Sequence, residues 1–486
     1  MTIDVSGATA GWQVALPALT ALGAAFVVML ADLTMRGTER DGVGVVGVLG
    51  LIATIAVAVS LWLAGGPTAG FNDTLRADPY ALFFAVVVSV GAMFTVLMSI
   101  DYLHDHPMAG GDYYALVLLS TCGMILMAAA NDLIVVFLAL EIMSVAVYVL
   151  AGILRADRRS NEAAIKYFFL GAFASGFLLY GTAFLFGASG STQLDAIALV
   201  VAAKPQDPFV LLGLALLLVG FGFKVAMVPF HGWTPDVYEG APTTITAFMA
   251  VGVKAAAFAA FARVLAVGFG SVAASWTGLL WVVSALTMTI GNVTAITQRN
   301  VKRMLAYSSI AHAGYVLVGL VAGTREGGAA LCLYLAVYML MNLGAFSVLI
   351  ALGRRGEPCE TLDDLAGLGF RQPILGIAMT IFMLSLAGIP PTAGFAGKLA
   401  LFGAAVNAGY VGLVVIAVLN SVVSVYYYLG VLVQMYMAEG TRDVVPPARR
   451  PALFATILAT MILVLLVGIA PSPLLRAATA AFASLR

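Results

Sequence analysis

Residues 133–150 read LIVVFLALEIMSVAVYVL, and this stretch decides the fold class. Eighteen residues at about 1.5 Å each reach about 27 Å as a helix, close to the roughly 30 Å of a bilayer's hydrocarbon core. Its one charged residue is Glu141. The chain around it has the same character. Of 486 residues, 62% are hydrophobic and 10% charged, with a mean hydropathy of +1.03. A soluble domain carries about 25% charged residues, so this chain has too few charges to cover a water-facing surface. Strict apolar/polar alternation is absent, which excludes a β-barrel reading. The expected class is all-α integral membrane.

Apolar runs bounded by charges or turn residues give fourteen candidate spans. They lie near 12–35, 43–64, 80–100, 113–130, 132–154, 163–187, 208–230, 241–266, 273–296, 301–322, 328–353, 373–403, 410–436 and 451–471. The join at Asn131-Asp132 is very tight, and 373–403 is interrupted. The N-terminus lacks a basic leader region, so the first run is expected to be a membrane helix rather than a cleaved signal. The longest polar stretches, 64–79, 188–208 and 354–372, are too short to hold a soluble domain. The chain 1–486 is therefore expected to be one polytopic membrane domain.

Charge bias orients it. With the N-terminus outside, the inner side receives Arg36, Arg40, Arg155, Arg158, Arg159, Lys166, Arg299, Lys302, Arg303, Arg354, Arg355, Arg371, Arg442, Arg449 and Arg450. The outer side receives Arg76, Lys204, Arg263, Arg325, Arg476 and Arg486. The excess of basic residues inside places both termini outside and requires an even number of spans.

Formal net charge is zero, which gives no basic surface for nucleic acid. Cys122, Cys332 and Cys359 are far apart and show no haem-attachment or iron–sulfur spacing. His104 and His106 form an HxH, too few ligands for a metal site. No metal, cofactor or redox centre is expected in this chain.

The informative residues are the charges inside spans. Glu141 sits in the opening stretch. Lys224 sits in LLLVGFGFKVAMVPF, Lys254 in FMAVGVKAAAFAAF and Lys398 in GFAGKLALFGAAV. An ionisable residue near the bilayer centre costs about 2.5–3.5 kcal/mol on insertion scales and marks an ion path more often than not. Snorkelling explains Lys166, near a helix start, better than it explains Glu141, whose side chain is short. Burial and nearby charge together set the protonation of such groups, so a Glu141–Lys224 pair of variable separation would be a proton switch. Spacing alone does not show that the two touch. His312, in MLAYSSIAHAGYVLVGL, is a relay candidate; packing is its bland alternative, and Tyr307, Ser308 and Ser309 could hold water beside it.

Two spans carry helix breakers beside a lysine. One is KVAMVPFHGWTPDVYEGAPT, with Pro229; the other is LAGIPPTAGFAGK, with Pro390 and Pro391. Proline frees a carbonyl from the helix, and breaks at matching places in two halves point to an ion site. The organisation that follows is an N-terminal three-helix segment (12–100), two inverted five-helix repeats (113–266 and 273–436), and a C-terminal helix and tail (451–486). The fourth helix of each repeat, the seventh and twelfth overall, is broken. GFAGK is no phosphate loop: Thr392 replaces the first glycine, and Leu399 follows the lysine.

These residues resemble the antiporter-like membrane subunits of respiratory complex I, and most of all the subunit N line of bacterial NADH-quinone oxidoreductase. The specific stretches are NEAAIKYFFLGAFASG (161–176), 224–258, QRNVKRMLAYSSIAHAGY (298–315) and LSLAGIPPTAGFAGKLALF (384–402). The similar subunit M line usually has glutamate where Lys398 stands. The subunit L line has a long lateral helix, whereas 15 residues follow Pro471 here. The resemblance implies fourteen core helices with the seventh and twelfth broken. It implies that Glu141 is the fifth-helix glutamate and Lys224 its partner, that Lys254 is the connecting lysine and Lys398 the terminal one, and that His312 lies on the polar axis. It also implies location in a bacterial inner membrane among other complex I membrane subunits, lipid, water and protons, with FMN and iron–sulfur clusters in partner subunits. A multi-subunit sodium/proton antiporter subunit and a non-conducting scaffold are the competing readings.

Overall fold

The computed structural model describes residues 11–35, 41–65, 68–105, 110–353, 358–440 and 450–485. His106, and Arg36, Arg40, Arg354, Arg355, Arg442, Arg449 and Arg486 from the orientation argument, lie outside them.

Thirteen helices among the described residues are long and apolar enough to cross a membrane. Those needed below are α1 (Pro79–Leu103), α2 (Gly110–Ala129), α3 (Leu133–Ala151), α4 (Arg158–Ser189), α5 (Pro208–Val225), the short α6 (Trp233–Gly240), α7 (Thr243–Gly268), α8 (Gly270–Ile296), α9 (Val301–Ala322) and α10 (Arg325–Leu352). The candidate span 373–403 is two helices of 15 residues, α11 (Pro373–Ala387) and α12 (Ala393–Asn407). Next come α13 (Val411–Met437) and α14 (Pro451–Ile469).

Helices α7, α9 and α10 are buried along nearly their whole length and form the centre, while α3, α8 and α13 expose apolar side chains along one side. Short polar caps set the tight joins. Asp132 follows α2 almost at once and accepts from the Ile134 amide at 2.8 Å, satisfying an N-terminal donor that the helix cannot pair. Asp157, Asp207, Asn300 and Thr324 cap four further helices in the same way. Gly123 lets α2 and α3 approach: a Cβ there would lie 2.5 Å from the Met143 amide nitrogen.

Both breaks fall where the prolines predict. Helix α5 stops at Val225, before Pro229, so the seventh span ends earlier than 230. Ala226 turns left-handed (φ 60°), and the Ala226 and Met227 amides bond back to the Phe223 and Gly222 carbonyls. Helix α11 ends likewise at Gly388 (φ 85°), whose amide bonds Leu384. Gly394 then lets α12 start against α11: a Cβ there would lie 1.8 Å from the Ser385 carbonyl oxygen.

Three features were not legible. The stretch 188–208 holds a helix, Leu194–Ala203. Met249–Val253 and Val264–Gly268 within α7 are π turns. Arg263, assigned above to the outer surface, is 1% exposed. Its guanidinium grips Asp78 at 2.7 and 2.8 Å, donates through Nε to the Ala128 carbonyl at 3.1 Å, and lies over the Tyr80 ring. A partner carboxylate keeps this arginine inside the protein, and charge counting along the sequence does not register it.

Candidate functional site

Lys224, Lys254, Lys398 and His312 are all buried, at 2 to 4% exposure. Each lysine is held by neutral groups. Lys224, in the last turn of α5, donates to Ser144 Oγ (2.7 Å) and Tyr148 OH (3.3 Å) on α3. Its ammonium nitrogen also lies 5.2 and 5.4 Å from the ring centroids of Tyr148 and Tyr167. Lys254, next after a π turn of α7, donates to the carbonyl (2.7 Å) and the hydroxyl of Ser309 on α9. Lys398 reaches back from α12 across the second break to the carbonyls of Leu386 (3.1 Å) and Ala387 (2.9 Å), and to Ser421 Oγ on α13 (2.8 Å). It thus caps carbonyls that the end of α11 leaves open, a place where a helix favours a cation. Among the described residues, no acidic oxygen lies within 4.0 Å of any of the three ammonium groups.

The Glu141–Lys224 pair is therefore indirect. Glu141 is half-buried on α3, beside the exposed Leu138, Ile142 and Val145, and its Oε1 has no hydrogen-bond partner. Ser144, one turn on from Glu141, bonds the Leu140 carbonyl through its hydroxyl and receives the Lys224 ammonium. Trp233, at the start of α6, steadies this region. It stacks on Tyr167 (4.5 Å between centroids) and donates Nε1–H to the Phe223 carbonyl (3.0 Å) at the end of α5.

His312 is the centre of a second cluster. Nδ1 meets Tyr334 OH at 2.8 Å and Nε2 meets Tyr428 OH at 3.1 Å. Tyr428 OH also pairs with Ser308 Oγ. With two phenols as partners, a neutral imidazole accepts from one and donates to the other. Lys398 Nζ sits 4.9 Å from the Tyr315 ring centroid, and Tyr315 OH bonds Asn292 Nδ2 (3.2 Å), whose Oδ1 accepts from Tyr427 (2.9 Å). The structure thus brings Lys254, His312 and Lys398 onto one polar band through α9, α10 and α13. Lys224, with Ser144 and Tyr148, forms a separate group between α5 and α3. The prolines Pro229, Pro390 and Pro391 are exposed at the breaks.

The sequence pointed to Ser308 and Ser309, but not to Ser144, Tyr148, Tyr334 or Asn292. Serine, tyrosine and asparagine inside spans are common, and only the fold shows which of them face a lysine. At the basic-rich end of the bundle, Lys166 pairs with Glu162 and Asp236 (2.7 Å each), and Arg303 with Asp236 (2.9 Å) and Glu239 (2.8 Å). Lys302 pairs with Glu360 (3.0 Å). Lys166 is thus anchored by two carboxylates. A cavity of about 1060 Å³ lies beside this cluster, bordered by Asp112, Arg159, Glu239, Lys302 and Glu360.

Residues 130–424, which hold all five candidate side chains, match the family described as NADH:quinone oxidoreductase/Mrp antiporter, TM. NADH-quinone oxidoreductase subunit N of Trichlorobacter lovleyi is 48% identical over 427 residues, 87% of each chain. The chain belongs to the NADH-quinone oxidoreductase subunit N family. A second member, subunit N 1 of Solibacter usitatus, is 44% identical over 96% of both chains. Solved structures share the fold. A chain of respiratory complex I from Thermus thermophilus superposes with a TM-score of 0.80 at 37% identity, covering 96% of this chain and 99% of that one. A chain of the Mrp complex from a Dietzia species gives 0.85 at 25% identity, covering 98% of both.

Proposed function

We propose that this chain is the proton-translocating subunit N of an NADH-quinone oxidoreductase. Electrons pass from NADH to quinone in partner subunits that carry FMN and iron–sulfur clusters. Neighbouring membrane subunits transmit the resulting change to this chain, and Lys224, Lys254, His312 and Lys398 relay a proton under the control of Glu141. The observation that carries this reading is that all three buried lysines rest on hydroxyls, carbonyls and aromatic faces alone. A permanent buried charge is stabilised by a carboxylate, as Arg263 is by Asp78. Lysines without one, beside two broken helices, are suited to exchanging protons. Glu141 and Lys224 are not in direct contact, which gives the switch a range: the two charges would interact more strongly on closer approach. In this reading 113–266 and 273–436 are inverted repeats, each broken in its fourth helix, after the 12–100 segment and before the 451–486 end. Both termini face outward from a bacterial inner membrane.

The test is made on inverted membrane vesicles holding the assembled complex with Lys224→Ala. NADH oxidation and proton uptake are recorded together, with sodium exchange as a control. Normal assembly with collapsed NADH-driven uptake supports the relay. The Mrp likeness gives the second reading, a cation/proton antiporter subunit. Loss of sodium–proton exchange alone would favour it, and no change in either activity would favour a scaffold.

A further inference from the structure

The relay leaves one large feature unused, the cavity of about 1060 Å³ at the basic-rich end of the bundle. That volume is at the upper end of the range for ligand pockets, roughly 300–1,000 Å³. Its more buried charges are already matched: Lys302 pairs with Glu360 at 3.0 Å, and Glu239 with Arg303 at 2.8 Å. Four exposed charges border the same cavity, Asp112 at the start of α2 and Arg155, Asp157 and Arg159 around the start of α4. These four keep spare capacity. Neither the Arg155 guanidinium nor the Asp112 carboxylate makes an ion pair among the described residues. Arg159 reaches Glu360 through Nη1 alone, at 3.5 Å, and Asp157 spends one oxygen on the Arg159 amide at 2.9 Å.

Apolar side chains make up much of the remaining wall, among them Leu116 and Leu119 on α2 and Ile153 and Leu154 after α3. Two of the lining residues are also on the outer surface. Met29, on the helix Trp12–Thr34, is 47% exposed, and Val149 on α3 is 51% exposed. Val145, one turn before Val149, is exposed as well. The cavity therefore runs out onto an apolar face of a membrane protein. Basic pockets between spanning helices suit lipid phosphates, and here two carboxylates narrow the choice. Arginine forks match a phosphodiester. Asp112 and Asp157 accept only from a cation that has N–H donors to give. A net-negative headgroup would bring like charge to them, and a trimethylated ammonium has no N–H. We propose that this cavity binds an ethanolamine phospholipid, with the phosphodiester on Arg155 and Arg159, the primary ammonium on Asp112 and Asp157, and the acyl chains leaving past Val149 and Met29. The assignment stands independently of the proton relay.

The test is photolabelling of the assembled complex in phosphatidylcholine nanodiscs that contain a photoactivatable phosphatidylethanolamine, with labelled peptides mapped by mass spectrometry. Label is expected on the peptide spanning 149–160, and unlabelled phosphatidylethanolamine should compete for it about tenfold better than phosphatidylcholine or phosphatidylglycerol does. Arg155→Gln should lower the label about tenfold, the scale of one charge-assisted hydrogen bond. Asp112→Asn should let phosphatidylglycerol compete as well as phosphatidylethanolamine. Absence of label from 149–160, or equal competition by all three lipids, overturns the site and leaves only bulk lipid at this surface. Stronger competition by phosphatidylglycerol in the wild type overturns the ethanolamine assignment. Displacement by soluble glycerophosphoethanolamine as readily as by the lipid overturns the role of the acyl chains. If either variant fails to assemble, the wild-type competition decides alone.

Discussion

Replacing Asp78 with alanine should destabilise the protein more than any neighbouring surface change, and a second substitution should undo most of the damage. Arg263 is 1% exposed and its two terminal nitrogens are both spent on the Asp78 carboxylate, at 2.7 and 2.8 Å. Removal of the carboxylate leaves a buried guanidinium with one carbonyl bond, to Ala128, and the Tyr80 ring. Breaking one side of a buried pair costs about 3–5 kcal/mol. The lower figure suits a membrane helix, because the unfolded chain within the bilayer also finds partners. About 3 kcal/mol is roughly a hundredfold in the folding equilibrium. Arg263→Met added to Asp78→Ala removes the stranded charge, so the double variant should recover most of the loss. The assay is thermal unfolding of the detergent-solubilised protein, with native-gel assembly alongside, across the four corners of the cycle. If Asp78→Ala unfolds with the wild type, or if the double variant is worse than the single one, the pair does not hold α7 to α1 and α2 as argued.

Two further outcomes follow from backbone geometry. Gly123→Ala pushes a methyl to within 2.5 Å of the Met143 amide nitrogen; α2 and α3 must separate, at a cost of about 1–3 kcal/mol, read as a lower unfolding midpoint. Ala226→Gly, at the left-handed turn that ends α5 (φ 60°), removes a Cβ strain of about 1–2 kcal/mol and should raise that midpoint unless unfolded-state entropy cancels the gain.

Length, composition and the runs of apolar residues were enough to determine that the chain spans a membrane many times. The bilayer leaves a backbone few choices: it must be helical, and about 20 apolar residues must cover each helix. Charges stood out for the same reason, since Glu141, Lys224, Lys254 and Lys398 contradict the solvent around them. Prolines 229, 390 and 391 gave away the two breaks by ring chemistry. What the sequence could not supply was the partner of each charge. Arg263 and Lys254 lie in one apolar helix and look alike in the primary structure, yet one grips Asp78 and the other only Ser309. That distinction separates a charge paired with a carboxylate from one held by neutral groups, and it depends on which side chains the residue before α1 and the helix α9 bring across. The π turn before Lys254 and the Ser144 and Tyr148 hydroxyls that receive Lys224 are likewise products of packing. Hydrophobicity is a property of each residue and can be read along the chain; a hydrogen bond between residues 55 or more positions apart exists only once the helices that carry them have been packed side by side.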